Sequence, residues 1–295
     1  MNHSKAFLST LILSLLPSFF ASGQSKDVTA TDSISSNEIN YADNTFFSPR
    51  IITGHSTEVT PRNRLDFKIE HRFGLINQGY DEFFGLDQAY TFFGLEYGIK
   101  DWWMVGLNRT LVDKTVAGFT KFALLRQCTG AKDIPLSVSL LLEGSAIGTV
   151  FSNPVQNNDF GARLSYTAQL LVARKFTDNF SAQLSPVWIH RNVAPDPTDN
   201  KDLLAMGFAA SYKITPTFEI NGEYYPVIGP SAYYKQNYHN SLSFGIDIRT
   251  FGHVFQIMLT NSTDLIEKNF IGQTTDDWSK GGLHLGFNLL RKFQL

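Results

Sequence analysis

Few residues in this chain are of a type and spacing that could do chemistry. Tyr238-His239-Asn240-Ser241 sets a histidine and a serine two positions apart. On a strand that spacing puts both on one face, where an imidazole could activate a hydroxyl for ester hydrolysis. A third member to orient the histidine is missing, so polar lumen or loop-base residues are the preferred reading. His55 and Ser56 adjoin and would point to opposite faces if extended. Asp196, Asp199 and Asp202 recur every three residues, but the calcium-loop spacing of two with a following glycine is absent, which favours a solvated loop. The seven histidines show no zinc spacing. Cys128 is the only cysteine, so no intrachain disulfide can form, and no histidine lies near it in sequence. Tyr233, Tyr234 and Tyr238, with Trp278 further on, could stack on a ring as ligand-loop aromatics; anchoring a loop base at a membrane interface is their commoner use. No catalytic residue, metal site or cofactor follows from these patterns.

The elements that would position such residues are strands. In RLSYTAQLLVARKFTDNFSAQL (163–184), Leu164, Tyr166, Ala168, Leu170 and Val172 fall at every second position, with polar residues mostly between them. Period two means extended chain with one apolar and one polar face. The pattern recurs over roughly 64–73, 88–99, 102–110, 116–126, 136–144, 160–176, 179–191, 202–214, 216–228, 240–250, 253–262 and 281–293, about twelve strands. Short turns at Lys100-Asp101, Thr177-Asp178-Asn179, Thr215-Pro216-Thr217 and Phe251-Gly252 alternate with longer links at 74–87, 145–159, 192–201, 229–239 and 263–280. The link at 111–115 is short against this rhythm, and that at 127–135 is long for its side. This asymmetry suits an all-β, closed antiparallel transmembrane β-barrel with short periplasmic turns and longer extracellular loops. Arg50-Ile-Ile-Thr-Gly54 is either an extra strand or a segment tucked inside.

The N-terminus bears on location. Lys5, an apolar run from Ala6 to Phe20, and Ala21-Ser22-Gly23 read as a signal peptide over 1–23, cleaved after Gly23. Residues 24–47 read as a flexible polar segment, and 48–295 as one barrel domain. Lys and Arg number 25 against 27 Asp and Glu, and no basic block stands out, which argues against nucleic acid as a partner. The destination expected from export and strands together is the outer membrane of a Gram-negative bacterium.

GHSTEV (54–59), LDFKIEHRFG (65–74), FFGLDQAYTFFGLEYGIKDWWMVGLNR (83–109) and GFTKFALLRQ (118–127) resemble an uncharacterised family of Bacteroidetes β-barrel proteins, domain of unknown function 5777. The resemblance runs from about Phe47 onward. It implies an outer-membrane barrel and carries no activity and no site residues with it.

Magnitudes decide which face meets lipid. Lys or Arg on the lipid side near the midplane would cost about 2–4 kcal/mol each. The charged set Lys68, Glu70, Arg72, Glu96, Lys121, Glu143, Arg163, Glu223, Asp247 and Arg249 is therefore expected to face the lumen. Outward go apolar series such as Leu242-Phe244-Ile246-Ile248, and aromatics near strand ends, Tyr224 and Tyr225 among them, form interface belts. This orientation also turns His239 and Ser241 away from lipid, whereas outer-membrane phospholipases carry their similar pair on the lipid side. Lys68 and Glu96 are expected to pair diagonally, while inward Gly94, Gly106, Gly207 and Gly245 would leave space. The expected function is a narrow, partly occluded passage or binding barrel for small polar solutes. The alternative is a structural or accessory barrel with a side-chain-filled lumen acting with a protein partner; a membrane-embedded hydrolase comes a distant third. The lipid bilayer is the partner common to every reading.

Overall fold

The computed structural model describes residues 38–150 and 159–295. The expected signal peptide over 1–23, and the polar segment as far as residue 37, lie outside the described residues. Twelve antiparallel strands form the barrel. They are β1 Arg64–Leu75, β2 Ala89–Lys100, β3 Trp103–Thr110, β4 Val116–Leu125, β5 Ser137–Ala146, β6 Leu164–Lys175, β7 Phe180–Arg191, β8 Asp202–Thr215, β9 Phe218–Tyr225, β10 Ser241–Arg249, β11 His253–Thr260 and β12 His284–Gln294. Each pairs with the next, and β12 returns to β1 with Phe287 opposite His71 and Leu289 opposite Ile69. Closure matters because an unpaired backbone group facing hydrocarbon costs several kcal/mol. Pro226 interrupts the upper end of β9, having no N–H to give. Its carbonyl still accepts from the Met206 amide at 3.0 Å, and pairing resumes at Val227–Ile228 against Ala205 and Leu204.

The two-residue period sorts the faces. On β8, Leu203, Ala205, Ala209 and Ser211 are buried, while Leu204, Phe208 and Tyr212 are 46–52% exposed. The outward series is apolar around the circumference, as a lipid-facing wall requires. At the short-turn end Trp102, Trp103 and Phe122 stack with centroids 5.8–6.4 Å apart. At the long-loop end His190 stacks between Tyr166 and Trp188, and Asp202 accepts from both Trp188 Nε1 (3.0 Å) and His190 Nδ1 (2.9 Å). Tyr225 departs from the expected belt: it is 1% exposed and turned into the lumen.

Two segments fill the interior. Residues 44–61 form a hairpin-like insert whose tip, Arg50 to His55, closes through an Arg50–His55 bridge and Ile51 N–H to Gly54 O at 2.9 Å. The stretch at Arg50–Gly54 is thus tucked inside and adds no strand to the wall. Gly54 is required at this tip, because a Cβ there would stand 1.7 Å from the Tyr225 hydroxyl. From the long-loop side, Asn261–Thr274 folds down into the barrel, carrying the short helix Glu267–Phe270. Phe270 and Ile271 seat against Val187, Ile189, Leu203 and Tyr225. The inward glycines open no space. Phe119 lies where a Cβ of Gly106 would stand, Tyr225 covers Gly207, Asn108 and Lys68 cover Gly94, and Met258 with Ile52 covers Gly245.

Candidate functional site

The lumen is the site, and its chemistry is that of a cradle for main chain. An irregular segment inside a barrel brings its own peptide donors and acceptors, which must be paired away from bulk water. The wall supplies the partners. Glu223 accepts the Thr53 and Gly54 amides at 2.8 and 3.1 Å. Lys121 Nζ donates to Pro49 O at 3.0 Å and Ser56 O at 3.1 Å. Gln183 donates to His55 O, Gln256 to Ile51 O and Ser139 to Thr57 O, at 2.7–2.8 Å. Asn288 reaches Ile52 O at 3.2 Å. Phe46, Ile51 and Ile52 add a small apolar contact with Ala173, Ala209 and Met258.

Both ends of the insert lie at the short-turn mouth. At one, Lys213 Nζ bonds Asn44 O, and Arg249 Nη1 reaches Asn44 Oδ1 at 2.6 Å. At the other, Thr60 Oγ1 donates to Asp66 at 3.0 Å, and the Arg62 amide to Asp101 in the first tight turn at 3.1 Å. Beside that mouth, Ile39–Tyr41 pairs with Cys128–Gly130 in the long link between β4 and β5.

The insert and the loop meet at its tip. Arg50 Nη1 donates to Thr53 O at 2.6 Å and to Leu265 O at 3.3 Å, and lies 3.6 Å from Glu267 Oε1. His55 Nε2 stands 3.6 Å from the same carboxylate oxygen. Burial first, then the charges of Arg50, Lys121 and Lys68, holds the His55 imidazole well below its ordinary pKa. Asp264 Oδ1 accepts the Leu265 and Ile266 amides at 2.6 and 3.1 Å, fixing the turn before the helix. Burial pushes its carboxyl up, against the hydrogen bond from Asn269.

The charged residues singled out in the sequence fall mostly on this wall. Lys68 and Glu96 form a buried ion pair, diagonal because Lys68 stands opposite Gly94 and Asp66 opposite Glu96. Arg72 donates to Asn288 Oδ1 at 2.7 Å and to Thr53 Oγ1 at 3.3 Å; Asp247 accepts from Gln256 at 2.8 Å. Glu70 and Glu143 are buried, Glu143 beside Glu267. Arg249 sits at the rim, its guanidinium 4.3 Å from the Phe47 ring centroid. Arg163 requires correction: Phe160–Arg163 is a 3₁₀ turn before β6, so its side chain reaches Ile147 O at 3.4 Å instead of lining the wall.

The remaining candidates brace loops. Tyr234 is buried and donates to Ile271 O at 3.1 Å; Tyr238 packs between Tyr233 and Tyr234. Trp278 Nε1 donates to Leu242 O at 2.7 Å. They do not form an open stacking platform. His239 faces Asp277 at 4.0 Å, and the buried Ser241 hydroxyl has no hydrogen-bond partner, so the two are not coupled. Asp196 accepts from Thr198, Asp199 pairs with Arg191 at 2.9 Å, and Asp202 serves His190, so the three carboxylates do not converge. Arg50, His55 and Glu267 were not singled out as a group by the sequence; the one signal was the polar, non-alternating GHSTEV stretch.

A family model described as a membrane bound beta barrel domain (DUF5777) matches residues 46–293. No curated protein matches the chain. Among solved structures, a NanC porin is 12% identical at a TM-score of 0.47, covering 78% of this chain and 100% of its own. A KdgM porin is 7% identical at 0.45, covering 79% and 99%.

Proposed function

Because the chain belongs to the DUF5777 family of membrane-bound β-barrel domains, we propose that it is a gated outer-membrane passage for small polar solutes, held closed by residues 44–61 from one side and Asn261–Thr274 from the other. Its short-turn mouth faces the periplasm. The observation that carries this reading is the route of the insert: it enters and leaves by the same mouth. It can therefore withdraw without breaking any wall pairing. The state of the lumen agrees with a polar, hydratable interior. Glu70, Asn108 and Gln169 are among the polar side chains buried on its inner face.

A structural or accessory barrel remains the second reading, favoured by the filled lumen itself. Planar-bilayer recordings of refolded protein separate the two. The wild type should be largely closed. Lys121→Met with Glu223→Ala removes four bonds to the insert and should raise the open probability. If neither protein passes current or takes up sugars in liposomes, the passage reading fails and the structural one stands.

A further inference from the structure

The meeting point of insert and loop holds a charge arrangement that main-chain anchoring does not account for. Glu143 on β5 and Glu267 on the loop helix lie side by side, both buried and close enough to share a proton, and no other group hydrogen-bonds either carboxyl. The nearby lysines are already engaged: Lys68 pairs with Glu96, and Lys121 is spent on two insert carbonyls. The Glu143–Glu267 pair has Arg50, 2% exposed, whose Nη1 lies 3.6 Å from Glu267 and whose Nε and Nη2 have no hydrogen-bond partner. The Phe92 ring lies 5.9 Å from the same guanidinium. Two adjacent carboxylates out of water repel unless a cation or proton stands between them.

We infer that Glu143 and Glu267 form a cation site in the lumen, which Arg50 occupies in the closed barrel and which the guanidinium or ammonium group of a small solute occupies once the insert withdraws. The inference rests on the passage reading and gives it a substrate class. Arg50 is here a resident surrogate for the solute. Its bonds to Thr53 O and Leu265 O also tie the insert to the outer loop, so a cationic solute competing for the carboxylates would loosen the gate it is to pass.

The test uses the refolded full-length chain, with heat-modifiable gel migration as the check on folding, and ethylguanidinium chloride as the probe. Arg50→Ala should bind ethylguanidinium about tenfold or more tighter than wild type, where the side chain already fills the site, and the gain should vanish in Arg50→Ala/Glu143→Gln/Glu267→Gln. If Arg50→Ala does not refold, the near-isosteric Arg50→Gln carries the same comparison. In bilayers under a KCl gradient, Arg50→Ala should show a cation-favouring reversal potential that the triple variant loses. Binding by the Arg50 variant no tighter than wild type overturns the cation site. A conducting variant without cation preference overturns the substrate class and leaves the passage intact. Tight, carboxylate-dependent binding with no current from any variant keeps the site and overturns the passage.

Discussion

Gly54 shows how one residue commits the lumen to its contents. Tyr225 occupies the space beside it so closely that any side chain must displace the phenol or the tip of the insert. Gly54→Ala should destabilise the closed state by about 1–3 kcal/mol, the usual range for overpacking. Protease cleavage within residues 44–61, applied from the short-turn side, reads that loss; cleavage at the wild-type rate would contradict it. His55 gives a pH signature. Buried, it stays neutral at pH 7 because its pKa lies well below the ordinary value; withdrawn into water it regains about 6.5. A depressed histidine stabilises the buried state above that pH, and the contribution falls by about 1.4 kcal/mol per pH unit as pH drops below 6.5. Open probability in the wild type should therefore rise relative to His55→Gln between pH 7.5 and 5.5. Parallel pH curves for the two proteins would remove His55 from the gate.

At the scale of elements, the barrel carries two occupants held by different physics. The insert is held chiefly by polar side chains bonding its backbone, with a small apolar patch at Phe46, Ile51 and Ile52. The loop is held by Phe270 and Ile271 in an apolar seat, with Asp264 fixing the preceding turn. Phe270 is fully buried, so Phe270→Ala should cost the loop about 3–5 kcal/mol. The loop should then become cleavable between 261 and 274 from outside intact cells, while the barrel keeps its heat-modifiable migration. The exposed Asp43–Arg126 pair at the short-turn mouth is a contrast: Arg126→Ala should change little, since such pairs contribute under about 1 kcal/mol.

At the scale of the whole barrel, the described residues form a wall with lipid on one side and a filled polar interior on the other. Ile257 on β11 is 44% exposed on the outer face. Ile257→Lys should cost about 2–4 kcal/mol of unfolding free energy in liposomes if it lies near the midplane. A cost near zero would place that face out of the hydrocarbon. Orientation is checked by cysteine labelling of intact cells, with the native Cys128 replaced. Tyr233→Cys and Asp276→Cys should react with an impermeant maleimide, and Asp178→Cys should not; the reverse pattern inverts the topology.

The alternation of residue types was enough, from the sequence, to place the strands, their faces and the uneven lengths of their links. Period two is local, and only one of its two faces can tolerate charge against lipid. The diagonal contact of Lys68 with Glu96 followed from the same logic, because neighbouring strands hold a fixed register. What the inward face touches was beyond that reach. Glu223 bonds the backbone 170 residues away at Thr53, and Gln256 a carbonyl 205 residues away at Ile51. Bonds from side chain to main chain carry no periodic signature at either end, because any peptide unit can accept or donate. Arg163 was misplaced for a related reason: a single 3₁₀ turn ended the strand one residue short of the alternation. The tertiary structure alone therefore decided that the polar face encloses a segment of its own chain, since only closure of the barrel brings Arg50, Glu143 and Glu267 to one place.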